Sequence, residues 1–406
     1  MKVACVGGGP AGLYLSILLK KQDPSHDITV YERNPEGSTY GWGVTYWRGL
    51  LDKLQQYDPE SARAIEEHSV TWNQGVARVR DVSTRRDSDL GHGIGRHRLL
   101  EILAGRARSL GVRLEFEHEI TEKNLPDADL VVAGDGVHSA LRTGRADHFG
   151  AEIKEGRNHY LWLGTTKVFD SFTFAFAETD HGWIWCYGYA FSPERSTCVV
   201  ECAPETWNGL GLDHADEGEG LALLEKLFAD ILDGHALIGR SAGSGSAQWL
   251  NFRTLTNRTW HHDNLVLLGD AAHTTHYSIG AGTTLALEDS IALAHALRSL
   301  DERIDLPQAL DRYERQRKAE LLSIQSAARY SAQWYENLPR YIDLPPEQMF
   351  ALLGQRHSPL LPYVPPQLYY RIDRAAGRLE PLRRLKRWLG PKIARSVHAK
   401  RMTSGK

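Results

Sequence analysis

The sequence predicts an α/β protein in which a Rossmann-like nucleotide-binding domain is interrupted by a β-rich segment and followed by a helical C-terminal region. Three observations predict this. A short apolar strand at the N-terminus runs into a glycine-rich bend and then a helix. A strand ending in Gly-Asp recurs twice further along, near residues 135 and 270. Between those two recurrences the chain becomes dense in short, aromatic-rich strands. The boundaries that follow are 1–155 for the first part of the nucleotide-binding domain, 156–257 for the β-rich substrate domain, 258–330 for the second nucleotide-binding part, and 331–406 for the helical region with its tail.

Lys2 to Val6 reads as the first buried strand, and Gly7-Gly8-Gly9-Pro10-Ala11-Gly12 fits GxGxxG with glycines at 7, 9 and 12. Gly7 permits the tight turn, Gly9 lets backbone approach a pyrophosphate, and Gly12 lets helix pack on strand. The helix running from Leu13 to Lys21 supplies free N–H groups and a positive dipole end for that anion. Asp27 to Tyr31 is the second strand. Glu32 follows, 20 residues after Gly12, placed to accept hydrogen bonds from a ribose diol, with Arg33 beside it as a further candidate. Val112 to Ile120 alternates as a strand should.

The second glycine-rich bend is in "DADLVVAGDGVHSALR", an apolar strand ending at Gly134-Asp135-Gly136, then Ser139 and Arg142. It is either a site for the nucleotide or a turn with a capping serine. The third is "NLVLLGDAAHTTHYSIGAGTTLALEDS", with Gly269-Asp270, then His276 and Tyr277, then Gly280-Ala281-Gly282-Thr283-Thr284 opening a helix through about Leu297. "GRHRLLEIL" puts Arg96 at a helix start, with Arg98 as its neighbour, and "GWGVTYW" carries Gly43 and Val44.

These motifs, in this order, resemble the class A single-component aromatic monooxygenases, similar in organisation to para-hydroxybenzoate hydroxylase. The resemblance covers roughly Met1 to Pro345. It implies FAD as cofactor, reduced by NADH or NADPH as a transient hydride donor, and oxygen transfer to an aromatic ring through a flavin C4a-hydroperoxide. By the same resemblance Asp135 and Gly136 line the dinucleotide site, Arg96 reaches the FAD phosphate or ribose, and Asp270 contacts the ribityl chain. The helix start at Gly280, Gly282, Thr283 and Thr284 then points N–H groups at the reduced flavin's negative edge. "GWGVTYW", "GRNHYLWLGTTKVFDSFTFAF" and "HYSIGAGTT" are similar to a narrower group. It includes salicylyl-CoA 5-hydroxylase, the flavin domain of 2-aminobenzoyl-CoA monooxygenase and the tryptophan hydroxylase of violacein biosynthesis.

The expected substrate is therefore an aromatic acyl-CoA thioester with an ortho hydroxyl or amine, salicylyl-CoA first, alongside molecular oxygen. A free indole or other small aromatic is the alternative, and a flavin dehydrogenase or reductase is the rival of another class. The chain departs from many family members where His276 and Tyr277 replace prolines. His276 then either hydrogen-bonds substrate or is a packed core histidine, and the pair is the candidate for catalysis. In the β-rich segment Trp162, Phe174, Trp183, Trp185 and Tyr187 are candidates to line a substrate pocket. Leu221 to Leu237 reads as an amphipathic helix, and Leu306 to Asn337 as a long charged one.

Composition sets the remaining limits. The chain has 406 residues, 42% hydrophobic and 24% charged, with a formal charge of −3. That balance argues against a nucleic-acid partner. From Leu382 to Lys406 there are nine Lys or Arg and no acid, either a solvated end or a patch for anions such as CoA phosphates. Cys5, Cys186, Cys198 and Cys202 show no metal-ligand spacing, so no metal is expected and the reducing cytoplasm is the expected location. No apolar run approaches the ~18 residues of a membrane span. A monomer or homodimer is expected.

Overall fold

The computed structural model describes residues 1–38, 41–239, 249–298, 300 and 305–378, so the basic tail lies outside the described residues. Two sheets organise the chain. The first has six strands in the order His261–His262, Leu265–Leu267, Leu130–Ala133, Lys2–Val6, Asp27–Tyr31 and Arg113–Glu115. Lys2–Val6 is central, parallel to Leu130–Ala133 on one side and to Asp27–Tyr31 on the other. All four residues of Leu130–Ala133 are buried, as a parallel strand covered on both faces requires. Helices Pro10–Gln22, Arg96–Ser109 and Gly282–Leu297 share one apolar core with this sheet.

The second sheet has nine strands. Eight run in the order Leu237–Ile238, Ala151–Thr165, Ser196–Cys202, Gly182–Ala190, Phe172–Thr179, Val70–Val79, Val82–Gly95 and Gly43–Trp47, and Leu250–Asn257 pairs with Ala151–Thr165. Neighbours are antiparallel except Val70–Val79 beside Phe172–Thr179. Three of its strands come from within residues 1–155, the segment expected to belong to the nucleotide-binding domain. Val82–Gly95 is charged at many positions, so nothing local marks it as a partner for an aromatic sheet.

One face of this sheet, with Leu163, Ile184, Cys186, Cys198 and Val200, packs against Glu217–Leu227. The other face carries Phe174, Trp185, Tyr187, Tyr189 and Val199 and meets Trp334 and Tyr335 of the 31-residue helix Leu306–Glu336. The strand expected over Val112 to Ile120 shortens to Arg113–Glu115. There Glu117 turns to φ +53° and the His118 N–H donates to the Glu32 carbonyl, so the chain curls over the second strand's end. The helix expected to reach Leu237 stops at Leu232, where Asp233 adopts the left-handed conformation.

Candidate active site

Three bends far apart in sequence meet beside the central strands. Gly7 has φ +107°, and a Cβ there would stand 2.3 Å from the Gly134 carbonyl oxygen. The first and second bends thus press backbone on backbone, which any side chain would prevent. At Gly269, φ +62°, a Cβ would come within 3.2 Å of the Ala11 Cβ, and Ser290 Oγ donates to the Ala11 carbonyl at 2.9 Å. The third bend is thereby held against the first.

Helix Pro10–Gln22 begins at Gly9 with no side-chain cap. Its open N–H end borders a cavity of about 400 Å³ lined by Gly8, Gly9, Glu32, Asn34, Arg96 and Arg108 among others. Glu32 Oε2 accepts from the Gly8 N–H at 2.8 Å, and Oε1 accepts from the Asn34 N–H at 2.9 Å. Donors and a guanidinium for an anion and a fixed carboxylate for a diol therefore occupy one hollow. Pro10, Ala11 and Gly12 are buried beneath it, while Arg33 is exposed and lines neither cavity.

Arg96 also lines a second cavity of about 790 Å³, with Gly43, Val44, Asp270, Gly280, Gly282 and Thr283. Burial pushes the Arg96 pKa down and Asp270 opposes that shift. Burial likewise pushes the Asp270 carboxyl up, opposed by His273 and Arg96. Helix Gly282–Leu297 starts without a side-chain cap or an acid in its first turn, so its N–H groups keep their positive end toward the cavity. Thr284 sits next in this helix, off the cavity wall. Asp135 and Gly136 also stand off both cavities. Asp135 Oδ2 accepts from the Ala140 N–H at 2.8 Å, capping the short helix with Ser139, and neighbours Val137 and His138 line the larger cavity. Asp135 Oδ1 is buried with no partner among the described residues, and burial pushes this carboxyl up. Two uncapped helix starts, a fixed carboxylate at Glu32 and two hollows that share Arg96 fit a dinucleotide bearing a flat ring system.

The far wall of the larger cavity is aromatic: Tyr160, Trp162, Tyr187, Tyr189 and Tyr277. Trp162 and Tyr187 are where the sequence places them. Phe174, Trp183 and Trp185 do not reach the cavity. Trp185 stacks on Tyr335 at 5.7 Å, Arg80 lies 4.9 Å over Trp183, and Phe174 packs on Phe172 at 5.0 Å. They share a sheet face with Tyr187 but lie where other side chains cover it. Glu155 and Trp249 to Arg253 also line this cavity, and Glu155, Leu250 and Arg253 are exposed.

Tyr277 lines the cavity and His276 stands behind it. His276 Nδ1 accepts from the Ser278 N–H, capping the turn Tyr277–Ile279, and its ring stacks on Tyr277 at 4.4 Å. Burial, and then the Arg356 charge, push its pKa down to about 3, so the ring is neutral. It shapes the bend that presents Tyr277. Sequence reasoning missed Glu201. The Tyr277 hydroxyl donates a short hydrogen bond to Glu201 Oε2, and Asn158 Nδ2 donates to Oε1 at 2.7 Å. Burial pushes this carboxyl up to about 7. Its available signal is an acid in "STCVVEC" on the strand face opposite Cys198, Val200 and Cys202. Among the described residues no group of His, Cys, Asp and Glu is arranged to hold a metal, and no helix is long and apolar enough to cross a membrane.

A family model described as an FAD binding domain matches residues 122–323. The chain is 38% identical to salicyloyl-CoA 5-hydroxylase of Streptomyces sp, over 87% of this chain and 69% of that one. It is 35% identical to 3-hydroxy-4-methyl-anthranilyl-[aryl-carrier protein] 5-monooxygenase of Streptosporangium sibiricum, over 88% and 94%. It is 30% identical to protodeoxyviolaceinate monooxygenase of Chromobacterium violaceum, over 89% and 96%. Among solved structures, 2-methyl-3-hydroxypyridine-5-carboxylic acid oxygenase superposes with a TM-score of 0.69 at 18% identity, over 84% of this chain and 93% of that one. P. aeruginosa PqsL does so at 0.66 and 19%, over 87% and 99%. Taken with the site's geometry, these similarities mean that the chain belongs to the FAD-dependent aromatic monooxygenases of class A.

Proposed function

We propose that the enzyme hydroxylates an aromatic acyl-CoA thioester carrying an ortho hydroxyl or amine, salicylyl-CoA first, at ring position 5. The observation that carries this reading is the shape of the larger cavity. The bare helix start at Gly280 to Thr283 and aromatic side chains line it, and its exposed residues Glu155, Leu250 and Arg253 would give a long thioester chain a way out. Two of the relatives are a 5-hydroxylase of salicyloyl-CoA and a 5-monooxygenase of an anthranilyl-carrier protein, which favours a ring delivered on a thioester. Position 5 is para to an ortho donor, where that donor concentrates electron density.

FAD, once bound and reduced by NADH or NADPH, would supply the activation of molecular oxygen, one atom of which enters the ring. The chain's residues do the rest. The cradle of Gly7, Gly9 and Gly12 with Glu32 takes the adenosine and pyrophosphate, and Arg96 and Asp270 flank the bend between the hollows. The N–H groups at Gly282 and Thr283, at the positive end of their helix, would stabilise negative charge on a bound flavin. Trp162, Tyr187 and Tyr277 hold the substrate ring and keep water from the reacting atoms. Four free, buried cysteines suit a reducing compartment, so we place the enzyme in the cytoplasm, as a monomer or homodimer.

The test compares NADH and NADPH consumption with salicylyl-CoA and with free salicylate, under labelled oxygen gas. Stimulation by the thioester with one labelled atom in the product supports the reading. Equal stimulation by free salicylate, or an unlabelled product, overturns it.

A further inference from the structure

We infer that Glu201 and Tyr277 form a proton relay that recognises the ring's hydroxyl or amine and, where it is a hydroxyl, withdraws its proton, so that the substrate's own donor activates the ring. The inference rests on the ortho-donor reading above and adds the machinery that reading lacks.

The geometry carries it. Tyr277 lines the same cavity as the helix start, and its hydroxyl donates to Glu201 Oε2 on the strand Ser196–Cys202. A phenol whose hydrogen is committed to a carboxylate still has a lone pair for a donor from the cavity. Tyr277 therefore reads a hydroxyl or amine favourably and leaves a methoxy group, which cannot donate, unsatisfied. Glu201 is 1% exposed, and Asn158 holds its other oxygen. It faces Tyr160 and Trp185 across the two neighbouring strands. No arginine or lysine forms an ion pair with it among the described residues. A carboxylate buried without a cation is costly unless it serves a purpose, because desolvation favours its neutral form. Here Tyr277, hydrogen-bonded to it and lining the cavity, gives a proton a path out.

The step balances without any redox partner. The substrate O–H bond breaks as its proton passes to the Tyr277 oxygen, while the Tyr277 proton passes to Glu201. The products are a substrate phenolate and a neutral Glu201. After oxygen transfer and loss of the ring proton to solvent, the proton returns along the same path to the product oxygen. Glu201 must therefore begin ionised. Its carboxyl lies at about 7, set by burial, with Tyr277, Asn158 and Trp185 opposing burial and Glu336 reinforcing it. Tyr160 and Tyr187 face the pair from the sheet, and Tyr335 from the long helix. Arg356 is the cation over the Tyr335 ring, at 5.9 Å. Burial pushes the Tyr187, Tyr277 and Tyr335 hydroxyls up, away from neutral pH, whereas it brings the Glu201 carboxyl toward it. Glu201 acts through Tyr277 and is a positioning residue, while Tyr277 is the catalytic one.

The experiment uses the full-length FAD-loaded enzyme with salicylyl-CoA, 2-methoxybenzoyl-CoA and benzoyl-CoA. Turnover of salicylyl-CoA falls as pH drops through about 7. Glu201→Gln lowers kcat by ~100-fold with little change in KM and removes that pH limb. Tyr277→Phe lowers kcat similarly and erases the preference for the hydroxyl over the methoxy ring. Without reductant, the absorbance of bound salicylyl-CoA shows its phenol ionising at lower pH in the unaltered enzyme than in either variant. Unchanged pH limb, preference and phenol ionisation in both variants overturn the relay alone. If the unaltered enzyme hydroxylates benzoyl-CoA as well as salicylyl-CoA, the ortho-donor reading falls and the relay with it.

Discussion

The six-stranded sheet with its helices bounds the smaller cavity and part of the larger, the nine-stranded sheet bounds the larger cavity's aromatic wall, and the two sides are built from different atoms. On the six-stranded side the contacts are backbone: Gly7 against Gly134, Gly269 against Ala11, and two helix starts with free N–H groups. On the nine-stranded side they are side chains, Tyr160, Trp162, Tyr187 and Tyr189, standing on strands that alternate faces. Backbone contacts tolerate almost no added atom. Side-chain contacts depend on which stretch of a sheet face is left uncovered.

The largest effect is expected on the backbone side. Gly7→Val forces a branched side chain into a φ of +107° and onto the Gly134 carbonyl. The expected outcome is protein purified without visible flavin absorbance, and a yellow protein of unaltered melting temperature would break the comparison. On the aromatic side, Trp185→Ala and Trp162→Ala should differ in kind. Trp185→Ala, which removes a side chain 2% exposed and stacked on Tyr335, loses about 4 kcal/mol of stability in urea unfolding. Trp162→Ala loses less stability, but the ratio of product to NAD(P)H falls because water reaches the cavity.

Stability against pH sharpens the contrast. The Glu201 pKa is raised in the folded chain, from 4.5 to about 7, so its contribution is present below pH 4.5 and lost as pH rises through about 7. That loss amounts to about 3 kcal/mol, and Glu201→Gln flattens it in melts run across this range. Asp58 titrates the other way. Burial alone raises its carboxyl, but Arg106 at 3.0 Å, Lys21 at 2.8 Å and Ser61 pull it down to about 2. Its stabilisation, about 2 kcal/mol, is present above pH 4 and lost as pH falls through about 2, and Asp58→Asn abolishes that acid dependence.

Legibility follows the same division. The three glycine bends, the first two strands and the long helix Leu306–Glu336 are readable because each depends on neighbours in sequence. The aromatic positions are only half readable. Period-two alternation puts Trp183, Trp185 and Tyr187 on one face, but nothing local says that Tyr335 and Arg80 cover the first two and leave the third bare. His276 reads as a polar group in a functional bend, yet its ring nitrogen is used in capping the turn. Glu201 escapes notice because a single acid in an apolar strand has no motif.

Consecutive residues thus settle the nucleotide cradle, since turn, helix start and carboxylate are local and their geometry follows from glycine's freedom and unpaired N–H groups. The partners of that cradle do not follow from any one segment. Which tyrosine faces the cavity, which acid lies behind it and how far its pKa moves depend on burial by strands and helices from distant parts of the chain. Desolvation and close packing belong to the assembled molecule, so those choices appear only when the two sheets come together.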